Sequence, residues 1–259
     1  MKKYNNKNIY QNLNYLSKMH LKAFDKLIVN LPYEKKGILY SEMFFLYLLC
    51  LNTTPQRVIE SGRARGQSTL ILSKIFPKSE IISIEYDTKS QDVDIAKKRL
   101  AHCKNISLLF GDAYILLPKI LSGGNNDIVL IDGPKGYKAI RLAIKALKYK
   151  NARKIFIHDT SHDTRERHFL NNHLPDTLYS DTHSIAKLNY KLDHHRKIEI
   201  SSRYRYKINK PYGYSLACIQ NISSKKYQHL IPLSRIVQFY ERLEEKLARI
   251  FNLRFFGTD

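Results

Sequence analysis

The segment RVIESGRARGQST, residues 57–69, sets the architecture that we expect for this chain. Its first residues are apolar and strand-forming, and glycines follow at positions 62 and 66, before a stretch with helical periodicity. Glycine lets the backbone turn tightly and approach a ligand closely. A helix that begins near Gly66 also offers free N–H groups at its N-terminus. The segment therefore predicts a strand, a tight turn and a helix that form one ligand-binding corner.

The same rhythm of a short apolar run followed by an amphipathic segment continues for about a hundred residues. Further strands are predicted at Glu80–Glu85, Ile106–Phe110, Asp127–Asp132 and Lys154–His158, with helices between them. Apolar strands that alternate with helices are typical of a parallel sheet covered on both faces. The pattern predicts an α/β, Rossmann-like, doubly wound domain.

The two ends of the chain are expected to extend this domain. The first fifty residues have helical periodicity, and an amphipathic helix is predicted over residues 234–250. Strands at 197–204 and 214–220, around Pro211 and Gly213, predict an antiparallel hairpin. We therefore expect a mostly parallel, seven-stranded sheet with a C-terminal antiparallel hairpin. The expected division is a helical N-terminal extension (1–56), the Rossmann-like domain (57–221) and a C-terminal amphipathic helix (222–259).

Composition bounds the class of protein. The 259 residues carry a formal net charge of +21, spread along the whole sequence. This charge favours an anionic partner such as nucleic acid, an acidic sugar or an anionic membrane surface. A compositional bias towards Lys, Asn, Ile and Tyr is the alternative explanation. We expect neither a signal peptide nor a transmembrane segment. Three widely spaced cysteines favour a reduced, cytoplasmic setting.

Acidic residues follow the first three predicted strands. Glu60 precedes the glycine turn, where a negative charge would oppose a pyrophosphate but suit a cationic amino group. Glu85 lies 19 residues beyond Gly66, and a carboxylate at this strand end can accept from both hydroxyls of a ribose. Tyr86 is a candidate to lie against an adenine ring, and Asp112 to accept from the adenine amino group. Asp112 is also a candidate helix N-cap.

In this order, Glu60-x-Gly62-x-x-x-Gly66, Glu85, Gly111-Asp112 and the strand 127–132 resemble the successive motifs of class I S-adenosylmethionine (SAM) methyltransferases. Two stretches, GQST at 66–69 and IDGPKG at 131–136, further resemble the small-molecule O-methyltransferase branch that acts on sugars and natural products. The resemblance covers about residues 57–160. It implies SAM as cofactor, with these residues around it: Glu60, Ser61, Gly62, Gly66, Ser68, Glu85, Tyr86, Gly111, Asp112 and Asp132.

The predicted catalytic residues are Asp132, His158 and Asp159, which follow two adjacent strands where open α/β sheets bind ligands. Metal-dependent O-methyltransferases place carboxylates at both positions, so Mg²⁺ is one alternative. That family has Asn or Asp where this chain has Thr160, which leaves the metal unknown. The other alternative is a histidine general base, taken from His158, His162 or His168.

Two basic features bear on the methyl acceptor. Lys138, Arg141, Lys145 and Lys148 share one face of a predicted helix, and residues 196–207 interleave cations with tyrosines. The leading interpretation is transfer of a methyl group to an oxygen of a small molecule, with an anionic acceptor and a homodimer left open. The alternatives are an RNA methyltransferase and a non-catalytic SAM- or nucleotide-binding module. An NAD-dependent enzyme is disfavoured because the third glycine of its fingerprint is missing.

Overall fold

A seven-stranded sheet forms the centre of the protein. The computed structural model describes residues 6–31, 33–34, 37–194, 215–220 and 229–251. Its strands are β1 (Arg57–Ser61), β2 (Glu80–Glu85), β3 (Ile106–Phe110), β4 (Asp127–Ile131), β5 (Ala152–Ile157), β6 (Leu178–Tyr179) and β7 (Ala217–Gln220). They are ordered β3-β2-β1-β4-β5-β7-β6.

The first five strands are parallel, as the sequence predicts. β4 is buried along its whole length, between β1 and β5. β1 has β2 on one side and β4 on the other, so the order of the strands reverses there. In open α/β sheets, ligands bind outside the carboxyl ends of the strands at this reversal point. The Rossmann-like fold is therefore confirmed, and it directs attention to the ends of β1 and β4.

Ten helices are assigned within the described residues. They are α1 (Asn6–Ile28), α2 (Tyr40–Cys50), α3 (Gln67–Ile75), α4 (Gln91–Leu100), α5 (Ala113–Ser122), α6 (Tyr137–Ala146), α7 (Arg165–His173), α8 (His183–Asn189), α9 (Lys191–His194) and α10 (Leu230–Phe251). None of these helices has the length and apolar character needed to cross a bilayer.

Helices cover both faces of the sheet. Successive residues of a strand point to opposite faces, so Val58 packs into one apolar layer and Ile59 into the other. The layer that contains Val58 also takes side chains from α1, α2, α3, α8 and α9. The layer that contains Ile59 takes side chains from α5, α6, α7 and α10. The helices that precede the first strand thus share a core with the sheet.

The antiparallel end of the sheet is built from β6 and β7. β7 confirms the strand predicted at 214–220, although it begins at Ala217, and it pairs antiparallel with both β5 and β6. The strand predicted at 197–204 lies outside the described residues. The strand that pairs with β7 on its far side is Leu178–Tyr179, which the sequence analysis missed because two residues carry no detectable period.

Candidate functional site

The turn after β1 packs directly against the loop after β4. Gly62 has φ +87°, and a Cβ there would lie 2.4 Å from the backbone nitrogen of Gly133. Only glycine tolerates both the left-handed backbone and this close approach. The backbone N–H groups of Asp132 and Gly133 both donate to the carbonyl oxygen of Ser61, each at 2.8 Å, and the Ser61 hydroxyl donates to the Gly133 carbonyl. The predicted cofactor turn and the predicted catalytic loop therefore lie side by side at the carboxyl ends of β1 and β4.

Glu60 lies underneath this turn. It is fully buried, and its carboxylate accepts hydrogen bonds from the hydroxyls of Ser68, Thr69 and Ser83. Burial raises the pKa of Glu60, and the three hydroxyls oppose that rise. In this arrangement the carboxylate joins β1, β2 and the first turn of α3. Glu60 thus fixes the shape of the turn from below, and its contact with a cofactor stays a prediction.

Glu85 holds the turn from the side. Its Oε2 accepts from the backbone N–H groups of Arg63 and Ala64, both at 2.9 Å, and its Oε1 accepts from Tyr86 at 2.8 Å. The carboxylate is half-buried, and the adjoining side chain of Tyr86 is 77% exposed. The end of β2 therefore offers a carboxylate and an open aromatic ring beside the glycine turn.

The end of β3 continues the same edge. Gly111 has φ +145°, and its N–H donates to the carbonyl oxygen of Glu85 at 2.9 Å. Asp112 caps α5 by accepting from the N–H of Tyr114 at 2.7 Å, as the N-cap interpretation predicts. One residue can cap a helix and contact a ligand, so its role at an adenine ring stays a prediction.

Arg63 adds polar groups that lack partners. Its side chain is buried, its Nη1 donates to the Ser83 carbonyl at 2.8 Å, and its guanidinium lies 4.8 Å from the ring centre of Phe110. Its Nε and Nη2 atoms are buried without a hydrogen-bond partner. Buried donors are rarely left unsatisfied, so this corner has unmet capacity for a ligand rich in acceptor atoms.

A cluster of charged side chains lies at the ends of β4 and β5. The ammonium of Lys135 is 2.5 Å from Asp132 and 2.7 Å from Asp159. His158 Nδ1 lies 2.7 Å from Asp132 and 3.3 Å from Asp159, and His158 Nε2 lies 3.3 Å from Glu42 on α2. Asp159 has φ +60°, a conformation rare outside glycine. The three predicted catalytic residues are thus brought together, with two additional side chains.

The electrostatics of this cluster favour its charged forms. Burial raises the pKa of Asp132, but Lys135 and His158 outweigh it and lower that pKa to about 2. Burial lowers the pKa of His158, but Asp159, Asp132 and Glu42 raise it well above its ordinary value. Burial likewise lowers the pKa of Lys135, and the two aspartates more than reverse this. A protonated imidazole cannot accept a proton, so this state does not fit a His158 base.

Sequence reasoning missed Arg63 beside the turn, and it missed Lys135 and Glu42 in the charge cluster. Lys135 lies inside the IDGPKG stretch, three residues after Asp132, and at this spacing its ammonium can reach the Asp132 carboxylate. That spacing was an available signal. Glu42 lies in a nearly continuous apolar segment, and it is buried in α2 with its Oε1 unpartnered. Nothing in the sequence links it to a histidine 116 positions away.

The residues present do not fit a magnesium site. Asp132, His158 and Asp159 have potential ligand atoms within 4.8 Å of one another. Hard cations prefer oxygen ligands, and here an ammonium bridges the two carboxylates. The Thr160 hydroxyl, which follows the second carboxylate, donates to the Ser215 carbonyl at 2.8 Å and is not directed at the cluster. Lys135 supplies the positive charge that a cation would bring.

The remaining sequence candidates lie apart from this cluster. His162 pairs with Asp181 at 3.3 Å, and Asp181 is also bound by Arg167. His168 lies in α7. On α6, the cations of Arg141 and Lys145 lie over the ring of Tyr114 at 5.0 and 4.9 Å. The cation–tyrosine segment 196–207 lies outside the described residues.

Comparison with known proteins gives similarities of structure only. No family model and no curated protein matches the chain. One similar solved structure is the O-methyltransferase TomG of Streptomyces achromogenes in complex with SAM, with 16% identity, a TM-score of 0.49, and 80% of this chain and 88% of that chain covered. Another is an O-methyltransferase from Bacillus cereus in complex with S-adenosylhomocysteine (SAH), with 16% identity, a TM-score of 0.45, and coverage of 80% and 90%. A third is the SAH-bound methyltransferase PaMTH1 of Podospora anserina, with 12% identity, a TM-score of 0.43, and coverage of 85% and 98%. Identities this low say nothing about which acceptor this chain would use.

Proposed function

We propose that this protein is a SAM-dependent methyltransferase that methylates an oxygen of a small molecule. The observation that carries the proposal is the direct packing of the Gly62 turn on the Asp132–Gly133 backbone. In this proposal the nucleoside part of SAM binds at the glycine turn, and the acceptor enters a crevice between that turn and the charge cluster. Methyl transfer needs such an arrangement, because donor and acceptor must be held in near-attack geometry.

The residues around the turn fit SAM. The glycine turn provides close backbone approach, Glu85 and Tyr86 offer a carboxylate and an exposed ring, and Arg63 has buried donors without partners. In this proposal Glu85 faces the ribose and Asp112 the adenine, while the turn of Glu60 and Gly62 faces the cationic methionine end. SAM supplies an electrophilic methyl group when bound.

The charge cluster would prepare the acceptor. Lys135 is the most exposed of the paired side chains at 41%, compared with 23% for Asp159 and 14% for Asp132. An acceptor hydroxyl in the crevice would meet the ammonium of Lys135, which stabilises negative charge developing on its oxygen. Asp159, the more exposed carboxylate, would take the proton. His158 and Glu42 would hold Asp132 and Asp159 in place from the protein side.

Calorimetry with SAH tests the cofactor half of this proposal. We expect wild-type protein to bind SAH with micromolar affinity and Glu85→Ala to weaken binding by at least about 10-fold, since a charged hydrogen bond contributes about 1.5–3 kcal/mol. Glu80→Ala is the matched control, because Glu80 is an exposed carboxylate at the opposite end of β2. Absence of SAH binding by the wild type would reject the proposal.

Measuring the rate at which SAM is converted to SAH tests the part of the proposal that concerns the methyl acceptor. A panel of phenolic and sugar hydroxyl compounds should contain acceptors that raise the release rate above the rate without acceptor. SAH binding without release for any compound in the panel would instead favour the non-catalytic module.

RNA is the second candidate acceptor, and the net charge of +21 is the observation that favours it. Cations attract a phosphate backbone whatever its sequence. The exposed cations on and beside α6, Lys138 and Lys148 among them, belong to that excess. Charge alone supports binding and not methylation, so the small-molecule acceptor stays the leading proposal.

A further inference from the structure

The C-terminal helix α10 carries an apolar stripe that the described protein does not cover. Its attachment uses Leu230 and Val237, which are buried in the layer with α6. The uncovered side chains are large and 38–66% exposed; they are Ile236, Phe239, Tyr240, Leu243, Leu247 and Ile250. At 3.6 residues per turn they fall within an arc of about 100°. Single exposed apolar residues are ordinary, whereas a contiguous stripe of this size indicates an interaction surface.

Cations run along one border of the stripe. Arg235, Arg242 and Lys246 are exposed, and helical spacing places all three within about 40° of one another, beside the apolar arc and away from Leu230 and Val237. Helix α10 packs on α6, which carries a further exposed cation, Lys138. An apolar stripe bordered by Lys and Arg is the pattern of helices that lie in a membrane interface, where long cationic side chains reach the headgroups.

The charge of the whole molecule decides between a second copy and a lipid surface. Two chains of net charge +21 repel each other, which works against pairing through this helix. An anionic bilayer attracts the same charge. No described helix can span a bilayer, and a peripheral contact requires none. The exposed Phe239 and Tyr240 provide the aromatic contacts that sit well at a membrane–water interface.

We propose that α10 binds an anionic phospholipid surface, with its apolar stripe in the headgroup–acyl boundary and its cations on the lipid phosphates. This contact uses none of the residues of the crevice, so it stands independently of the methyltransferase proposal. It would hold the protein next to acceptors that are made or presented at a membrane.

Co-sedimentation with vesicles tests the inference. We expect the full chain to bind phosphatidylcholine vesicles that contain about 30% phosphatidylglycerol, and to bind pure phosphatidylcholine vesicles at least about 10-fold more weakly. The combined variant Phe239→Ser, Leu243→Ser and Leu247→Ser should lose at least about 10-fold in affinity at physiological salt. The charge variant Arg235→Gln, Arg242→Gln and Lys246→Gln should lose affinity mainly for the anionic vesicles.

A matched control separates helix insertion from general attraction of a basic protein. Met19→Ser, Val29→Ser and Ile115→Ser remove apolar side chains elsewhere that are 55–62% exposed, and this variant should bind as the wild type does. The inference is overturned if the wild type does not bind the anionic vesicles, or if the stripe variant binds as well as the control. It is also overturned if light scattering shows a wild-type dimer that the stripe variant dissociates, because a second copy would then cover the stripe.

Discussion

Lys135 places one positive charge between two carboxylates that would otherwise repel each other. Without a cation, one of the pair would tend to stay protonated. With Lys135 and His158 present, the pKa of Asp132 is lowered to about 2 despite burial, so Asp132 stays ionised throughout the physiological range. The site therefore keeps both a fixed cation and carboxylate oxygens available to an acceptor hydroxyl.

Replacing Lys135 should abolish most of the turnover and leave cofactor binding intact. We expect Lys135→Met to lower kcat/KM by roughly 10²–10⁴-fold with the best acceptor of the hydroxyl panel, because the developing oxyanion loses its counter-charge. SAH affinity should change little, since the ion pairs of Lys135 are with Asp132 and Asp159 in the charge cluster. The measurements are SAH release and calorimetry.

Two controls complete this experiment. Lys138→Met removes an exposed cation three residues away and should turn over normally. EDTA should leave wild-type turnover unchanged, because Lys135 supplies the charge of a metal. Loss of turnover in EDTA with recovery in Mg²⁺ would show that a metal displaces Lys135 and that our assignment is wrong.

At the scale of single residues, the sequence predicted the carboxylates of the site better than the side chains that pair with them. Asp132 and Asp159 were predictable because residues at the ends of adjacent parallel strands must share one edge of the sheet. Glu42 was not predictable, since its contact with His158 depends on how α2 packs in the apolar layer that also contains Phe156. Glu60 shows another limit of pattern reasoning: its place before the turn was correct, but its burial under the turn was not visible in sequence.

Helix α2 is anchored at its N-terminus by a carboxylate from another helix. Asp193 on α9 is fully buried, and it accepts from the N–H of Tyr40 at 2.9 Å and from the N–H of Ser41 at 3.3 Å. The positive end of a helix dipole favours such an acceptor. Burial nevertheless raises the pKa of Asp193 to about 7; the Ser41 side chain and the two N–H groups oppose this rise, and Glu42 adds to it.

This anchor should make stability depend on pH. The pKa of Asp193 is about 7 when folded against 3.8 ordinarily, so the folded state holds the extra proton between these values. The contribution of Asp193 to the free energy of unfolding therefore falls as the pH rises from about 4 to about 7, and it stays constant above about pH 7. Asp193→Asn keeps an acceptor oxygen without the charge. We expect the melting temperature of Asp193→Asn minus that of the wild type to be larger at pH 8 than at pH 5.

The matched control for this prediction is Asp163→Asn. Asp163 is exposed, so its variant should differ from wild type by the same amount at both pH values. An Asp193→Asn difference that is equally independent of pH would contradict the buried, proton-holding state of this carboxylate.

Secondary structure was predictable wherever one periodicity ran long enough. The predicted strands at 80–85 and 106–110 match β2 and β3 at both ends, because their apolar runs are bounded by polar residues. Helix α10 is longer than the predicted 234–250, since its first turn also packs on the core through Leu230. β6 has only two residues and exists because β7 pairs with it, which is a tertiary effect.

At the scale of the whole molecule, the net charge predicts how RNA binding should depend on salt. This dependence distinguishes an RNA acceptor from a small-molecule acceptor. A protein that neutralises several phosphates loses about 10³–10⁵ in affinity between 50 and 200 mM salt. We expect binding of a labelled single-stranded RNA to collapse over this range, as it would for general attraction by a charge of +21. Fluorescence anisotropy measures it. Submicromolar RNA binding that persists at 150 mM salt and strengthens with SAH would instead favour the RNA methyltransferase.

The order of strands in the sheet has a consequence for synthesis of the chain. Among the described strands, β6 joins the sheet through β7, although β7 is translated later. Until residue 220 leaves the ribosome, β5 is therefore an open edge, and Leu178–Tyr179 has no strand to join. At 5–20 residues per second the interval between β5 and β7 lasts roughly 3–12 s. During those seconds the nascent chain exposes an apolar edge that can pair with other chains, so growth temperature and chaperone supply should govern its soluble yield.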